Sequence, residues 1–252
     1  MADYTIDAVE DAVKLLFLVA QAPGLGVTEL SVRAGNTKAR TFRMLRTLEK
    51  HGLVMRDTRT PLYTLGHHAL YLGLAAGSQA ALALAAGRVM QQVGMVCGES
   101  VQLRIRDGQE SLCIARWEHP QHARLGPRRV GIRRPLHAGA AGKVLLAHAP
   151  PHVLEAVMAH TRASFTQATL VSKSSLRHAL AKIQGLGYGL SYGEVVPGAV
   201  AVAAPVRDAS REVVAVLSVA GPEARIAGAG MTAVIEAAVM AARDLSEQIG
   251  FR

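Results

Sequence analysis

Two kinds of residue pattern in this chain could do chemistry. The first is cationic. Lys38, Arg40, Arg43, Arg46 and Lys50 fall within thirteen residues. At 100° per residue, Arg40, Arg43, Arg46, Thr47 and Lys50 share one side of a helix, opposite Phe42, Leu45 and Leu48. A basic stripe of that kind meets phosphates along a duplex groove while the helix's first turn reaches base edges. The second pattern is nucleophilic: Gly189-Leu190-Ser191-Tyr192-Gly193 matches G-x-S-x-G. A serine hydrolase needs a strand before that serine and a helix after it, so that the hydroxyl is lifted into an oxyanion hole. Here a helical stretch precedes it and strand-like stretches follow. An enzyme using Ser191 beside an accessory DNA-binding domain is therefore the alternative reading, and no catalytic residue is assigned.

Other motifs carry less. Gly142-Lys143 lacks the earlier Gly and the following Ser or Thr of a phosphate loop, since His137 and Val144 stand there. Lys143 can offer an ammonium to a ligand carboxylate or form a structural salt bridge. His119 and His122 have no carboxylate or thiol arranged for tetrahedral zinc, so neither metal nor cofactor is expected. Cys97 and Cys113 are the only thiols among 252 residues. They imply a reducing compartment and read as small core residues. Arg124, Arg128, Arg129, Arg133 and Arg134 form a basic loop open to four readings: DNA backbone, an anionic ligand, another subunit, or solvent.

The elements that position the cationic stripe can be read from residues 27 to 66. Thr28 caps a short helix ending near Ala34, Gly35 turns the chain, and Asn36 and Thr37 cap the next helix, which Gly52 closes. Leu53–Arg56 and Leu62–Leu65 flank a polar turn, a hairpin that makes the unit a winged helix-turn-helix. An earlier helix over 6–21 carries Ile6, Val9, Val13, Leu16, Phe17 and Ala20 at helical spacing, and these are expected in the core. Lys38, Ala39, Arg40 and Thr41 should lie nearest the bases. Arg43, Arg46, Lys50 and Arg59 should hold phosphates.

From Ala69 to Val93 the chain is Ala/Leu-rich with Arg88 its only ion, and Gly73, Gly77 and Gly87 divide it into two helical pieces. This linker is expected to pack against a second copy of the chain. Beyond it, Ser100–Ile105 and Ser111–Trp117 form a hairpin at Asp107-Gly108, and Val130–Arg133 suggests a short strand. Helices are expected over 139–148, 152–160 and 174–186, the last capped by Ser174 or Ser175. Strands follow over 188–195, 199–206 and 212–219, and a final helix spans 232–248. The fold class is α+β in two domains, with helices packed on an antiparallel sheet in the second. The divisions are 1–67, a linker helix over 68–94, and 95–252.

Net charge is +9, which favours a polyanionic partner. The excess is not confined to the first domain: residues 1–74 hold nine Lys/Arg against seven Asp/Glu, so only the local stripe there is strongly basic, and residues 75–252 hold nineteen against twelve. The acidic start lacks the positive region of a signal peptide and no long uncharged apolar run is present, so neither a signal peptide nor a membrane span is expected, and a cytoplasmic location is.

The chain resembles IclR-type bacterial transcription regulators. The resemblance runs through Leu48-Glu49-x-x-Gly52-Leu53-Val54, Tyr63-x-Leu65-Gly66, Gly98-Glu99-Ser100-Val101, Pro135-Leu136-His137-Ala138, Ala141-Gly142-Lys143, Ala203-Ala204-Pro205-Val206-Arg207-Asp208 and Gly221-Pro222. It implies a winged helix-turn-helix, a linker helix and a GAF-like effector domain, acting as a homodimer or dimer of dimers on double-stranded operator DNA under control of a small organic acid or aromatic effector. The effector positions it implies are Ala140, Ala141, Ser191, Ala201 and Ser218, with Lys143 nearby. Family members that bind small keto acids carry Gly, Asp, Cys and Ser where this chain has Ala140, Ser191, Ala201 and Ala220, which points to a larger or more apolar effector.

Overall fold

The computed structural model describes residues 4–79, 81–122 and 130–251. The chain divides into two compact units, Met1–Ala80 and Ala81–Arg252, each with its own core.

The first unit runs α1 (Asp7–Gln21), β1 (Leu25–Gly26), α2 (Val27–Ala34), α3 (Lys38–Lys50), β2 (Val54–Arg56), β3 (Leu62–Leu65) and α4 (His67–Gln79). Gly35, at φ 66° and ψ 25°, takes the left-handed conformation that ends α2. Thr37 then caps α3, its Oγ1 accepting the Arg40 N–H at 3.2 Å. The α2 cap is Gly26 and not Thr28. β2 and β3 form the hairpin, and β1 adds to it through Leu25–Tyr63 and Gly26–Leu62, giving the order β1-β3-β2. Leu15, Val19, Leu30, Leu45, Leu48, Val54 and Tyr63 make the core.

That core corrects two expectations. On α1 the buried residues are Leu15 and Val19, whereas Ile6, Val9, Val13 and Phe17 are exposed. The helix is apolar on two sides, and periodicity alone does not say which side packs on α2 and α3. On α3 the buried seam is Thr41, Leu45 and Leu48, and Phe42 is 44% exposed. An i, i+4, i+7 seam stays closer to one helix face than the i, i+3, i+6 series beginning at Phe42.

The second unit begins with α5 (Ala81–Cys97). It continues with β4 (Ser100–Asp107), β5 (Glu110–Trp117), β6 (Arg133–Pro135), α6 (Gly139–Ala147), α7 (Pro151–Ala159), α8 (Lys173–Leu186), β7 (Gly189–Tyr192), β8 (Ala199–Arg207), β9 (Val213–Pro222), α9 (Glu223–Ala229) and α10 (Met231–Gln248). The strands form one antiparallel sheet in the order β6-β5-β4-β9-β8-β7. Alternation sends Val101, Leu103, Val200, Val202, Leu217 and Val219 to one face, where α5 and α10 cover them. The opposite face meets α6, α7 and α8 through Ala203 and Val216. The sheet is thus sandwiched between helical layers.

Three local expectations change here. The short third strand is Arg133–Pro135, not 130–133, and the cap of α8 is Ser172, whose Oγ accepts the Ser175 N–H at 3.1 Å. The stretch expected to link the domains is two helices, as its glycines imply, but α5 is more than a linker, since it buries Ala86, Val89, Met90 and Val93 in the core of its own unit. Helix α9, just after Pro222, was not anticipated.

Two motif residues turn out to be one device. The Glu99 carboxylate is 3% exposed and accepts from Arg225 Nε and Nη2 at 2.5 and 2.9 Å. A side chain on Gly221 would collide with that carboxylate and force it off Arg225, so glycine here keeps the pair in place.

Candidate nucleic-acid interface and ligand cavity

In the first unit the exposed face of α3 carries Lys38, Ala39, Phe42, Arg43, Arg46, Thr47 and Lys50. Arg46 pairs with Glu49 at 2.8 Å. Arg43 and Lys50 form no ion pair among the described residues and remain available for phosphate. Arg40 is turned to the side of the helix, where its guanidinium meets Asp11 of α1 at 2.7 Å and is 41% exposed. Thr41 is 0% exposed and belongs to the interior, which removes it from the residues nearest DNA.

At the hairpin tip Asp57 Oδ1 accepts the Arg59 and Thr60 N–H groups at 2.7 and 3.0 Å. Those backbone bonds, Thr60's first, hold the Asp57 carboxyl below its ordinary range. They fix the loop that presents Arg59 to solvent. A helix with an apolar underside, an exposed cationic top and a cationic hairpin loop beside it is the apparatus of groove recognition.

In the second unit a cavity of about 310 Å³ opens between the sheet and α6. Ala140, Ala141, Ser191, Ala201 and Ser218, five of the six expected effector positions, line it. The sixth, Lys143, does not line the cavity. Its side chain is 4% exposed, and its ammonium donates to the Leu190 carbonyl at 2.9 Å and pairs with Glu194 Oε1. Glu194 does line the cavity, and its other oxygen accepts the Gly139 N–H at 3.1 Å. Lys143 is thus a strut behind the wall.

On the opposite wall sequence reasoning missed Gln102, Arg104, Ser111 and Arg116, which stand beside Arg134 of the basic loop. Arg104 is 4% exposed and held by neutral acceptors: Ser111 Oγ at 3.1 Å, the Ser111 carbonyl at 2.7 Å, the Ile132 carbonyl at 2.9 Å and Gln102 Oε1 at 3.3 Å. Burial draws its guanidinium down to about 10. Of the basic-loop residues, Arg124, Arg128 and Arg129 lie outside the described residues. Arg133 pairs on the surface with Asp107 and Glu110, and Arg134 reaches the cavity.

Ser191 lies within β7, paired with Ala201 of β8. A turn and another strand follow it, so the strand-to-helix elbow of a hydrolase is not formed. Burial raises Cys113 and pushes Cys97 up to about 11, which keeps both thiols protonated in the interior.

These two units together define a DNA-binding regulator with a ligand-sized cavity. Residues 8–58 match the IclR helix-turn-helix domain, and residues 75–247 match the bacterial transcriptional regulator IclR C-terminal domain. Among curated relatives, the HTH-type transcriptional regulator BhcR of Paracoccus denitrificans is 33% identical over 96% of this chain and 86% of its own. KipR of Bacillus subtilis is 32% identical over 94% of each. An IclR regulator from Alicyclobacillus acidocaldarius superposes with a TM-score of 0.90 at 26% identity, covering 98% of this chain and all of the other. A homologue from Microbacterium hydrocarbonoxydans, solved with 4-hydroxybenzoate, has the same fold, with a TM-score of 0.84 at 23% identity over 96% and 98% of the two chains.

The chain belongs to the IclR family of transcriptional regulators. It is a regulator and not an enzyme, which sets aside the Ser191 hydrolase. Among the described residues no helix is long and apolar enough to cross a membrane.

Proposed function

We propose that the protein is a cytoplasmic homodimer or dimer of dimers. It reads operator DNA through the exposed face of α3 and releases or tightens its grip when an aromatic or carboxylic acid fills the cavity. The exposed cationic face of α3, backed by buried Leu45 and Leu48, carries this reading. Ala39 and Phe42 stand on that face as apolar groups able to meet a thymine methyl, while Arg43, Arg46, Lys50 and Arg59 hold phosphates. Arg40 reaches the bases only by leaving Asp11.

Two modules are needed because one covers a short half-site, and half-sites repeat at about a helical turn or a multiple of it. The exposed stripe Ile6, Val9, Val13 and Phe17 on α1, with Leu70, Tyr71 and Leu74 on α4, supplies apolar area for the second copy. The effector class is supported by the amphipathic cavity and by the 4-hydroxybenzoate complex of the Microbacterium homologue. Ligand and DNA influence each other only as far as the ligand prefers one arrangement of the dimer.

The test is binding to duplexes selected from a random pool, measured against salt. Arg43→Ala should weaken binding to every sequence and reduce the log–log salt slope by roughly one unit. An unchanged slope would contradict the placement of α3. Sedimentation of a monomer on the selected duplex would contradict the dimer.

A further inference from the structure

We propose that Arg116, with Arg104 beside it, is the anion anchor of the cavity, so that an amphipathic carboxylate binds with its charged end on β4 and β5 and its apolar end on β8. The proposal rests on the cavity being the effector site and assigns that site's polarity.

The first argument is the state of Arg116. Its side chain is 7% exposed. Its Nε is taken by Glu118, which also accepts from Ser100 Oγ at 2.7 Å. Its Nη2 is buried with no hydrogen-bond partner. A buried guanidinium nitrogen left without an acceptor is costly, and a carboxylate is the group that matches the planar fork best.

The second argument is how the chain delivers Arg116 to the wall. Leu103 of β4 pairs with Ala115, but Arg104 pairs with Cys113, so Ile114 is an extra residue in β5. Without that bulge, strict alternation from Ser111 would put Arg116 on the opposite face, against α5 and α10. With it, Arg116 pairs with Gln102 and lines the cavity. The bulge places a cation where an uninterrupted strand would hold an apolar residue.

The third argument is the asymmetry of charge. Arg104, Arg116 and Arg134 stand on the β4–β6 side, and the acidic Glu194 stands by α6, already bound to Lys143 and Gly139. Ala201 and Ala220 line the cavity with no polar side-chain atom. Lys143 offsets Glu194 and Glu118 offsets part of Arg116, whereas Arg104 is held by neutral acceptors alone. An anion is therefore drawn to the β4–β5 wall, which fixes the ligand's direction.

The experiment uses the full chain and matched pairs: benzoate, phenylacetate and 4-hydroxybenzoate, each against its primary amide, by thermal shift and calorimetry. The acids should raise the melting temperature and outbind their amides. Arg116→Gln should weaken acid binding roughly 10- to 100-fold and weaken any amide binding much less, since the amide carbonyl loses only a neutral acceptor's bond, with Arg116→Lys in between. Ala201→Leu should block acid and amide alike. Equal affinity for acid and amide, indifference to Arg116→Gln, or no response to any of the three acids would overturn the assignment. Acid and amide binding equally well, both blocked by Ala201→Leu, would leave the effector site standing without its polarity. Acid binding untouched by Ala201→Leu would remove the site itself, and the anchor with it.

Discussion

Replacing Lys143 with Met keeps the length of the side chain and removes its charge. The partner left behind is Glu194, 7% exposed on its side chain, with only the Gly139 N–H at 3.1 Å to meet its carboxylate. Removing one member of a buried ion pair costs about 3–5 kcal/mol, because the other charge stays in the interior uncompensated. In a unit of this size each kcal/mol moves the midpoint by about 2–4 °C, so the second unit should melt roughly 6–20 °C lower. The double variant Lys143→Met, Glu194→Gln removes both charges and should recover part of that loss, with a coupling of about 0.5–3 kcal/mol. Calorimetry or urea unfolding of the four proteins in the cycle measures it. A single-variant loss below about 1 kcal/mol, or a double variant equal to the sum of the singles, would mean that Lys143 is not a strut for this wall.

Thr41→Val replaces a buried hydroxyl, whose Oγ1 has no hydrogen-bond partner, by a methyl of the same shape. It should stabilise the first unit by about 1 kcal/mol and leave DNA affinity unchanged; a tenfold weaker operator complex would put Thr41 back at the interface. Phe42→Ala should alter stability by no more than about 0.5 kcal/mol yet cost roughly 1 kcal/mol of preference at one thymine. Uracil at that position in the duplex should reproduce the loss, and additive effects of the two changes would refute the contact. His148 is half-buried, its Nε2 has no partner, and burial followed by Arg207 lowers its pKa below 6.5. The unfolded chain therefore binds the proton more readily, so this contribution to stability is present above pH 6.5 and is lost as pH falls below it. His148→Gln should flatten stability across that interval in chemical unfolding, and an unchanged pH profile would count against it.

The parts of the fold legible in the sequence are those set by local chemistry. Gly35 in a left-handed turn, Thr37 as a cap and the Asp107-Gly108 hairpin follow from backbone preferences that neighbouring residues satisfy by themselves. The choice of buried face is not local. Ile6, Val9, Val13 and Phe17 satisfy a helical period as well as Leu15 and Val19 do, and the choice between the two sets is made by what α2 and α3 offer. Phe42 shows the same effect. Its hydrophobicity argued for the core, but the tighter seam through Thr41 took that place and left the ring among the cations of α3. A mixed apolar and cationic face serves a groove better than a purely basic one, because charge holds the duplex while methyl contacts distinguish its bases.

The cavity shows where reasoning from position alone stops. Ala140, Ser191, Ala201 and Ala220 suggested a site poor in polar groups, and on β7 to β9 and α6 they are indeed mostly small and apolar. The polarity enters from strands distant in sequence. Gln102 and Arg104 arrive by alternation along β4, and Arg116 arrives only because Ile114 is an extra residue in β5. A bulge leaves no reliable mark in a single sequence, since Ser111–Trp117 alternates well enough as a plain strand. Small residues on one side of the sheet set the room available, and the arginines opposite set the charge that room will accept. Enlarging the alanine wall should therefore change which acids fit without changing the demand for an acid, whereas neutralising Arg116 should do the reverse.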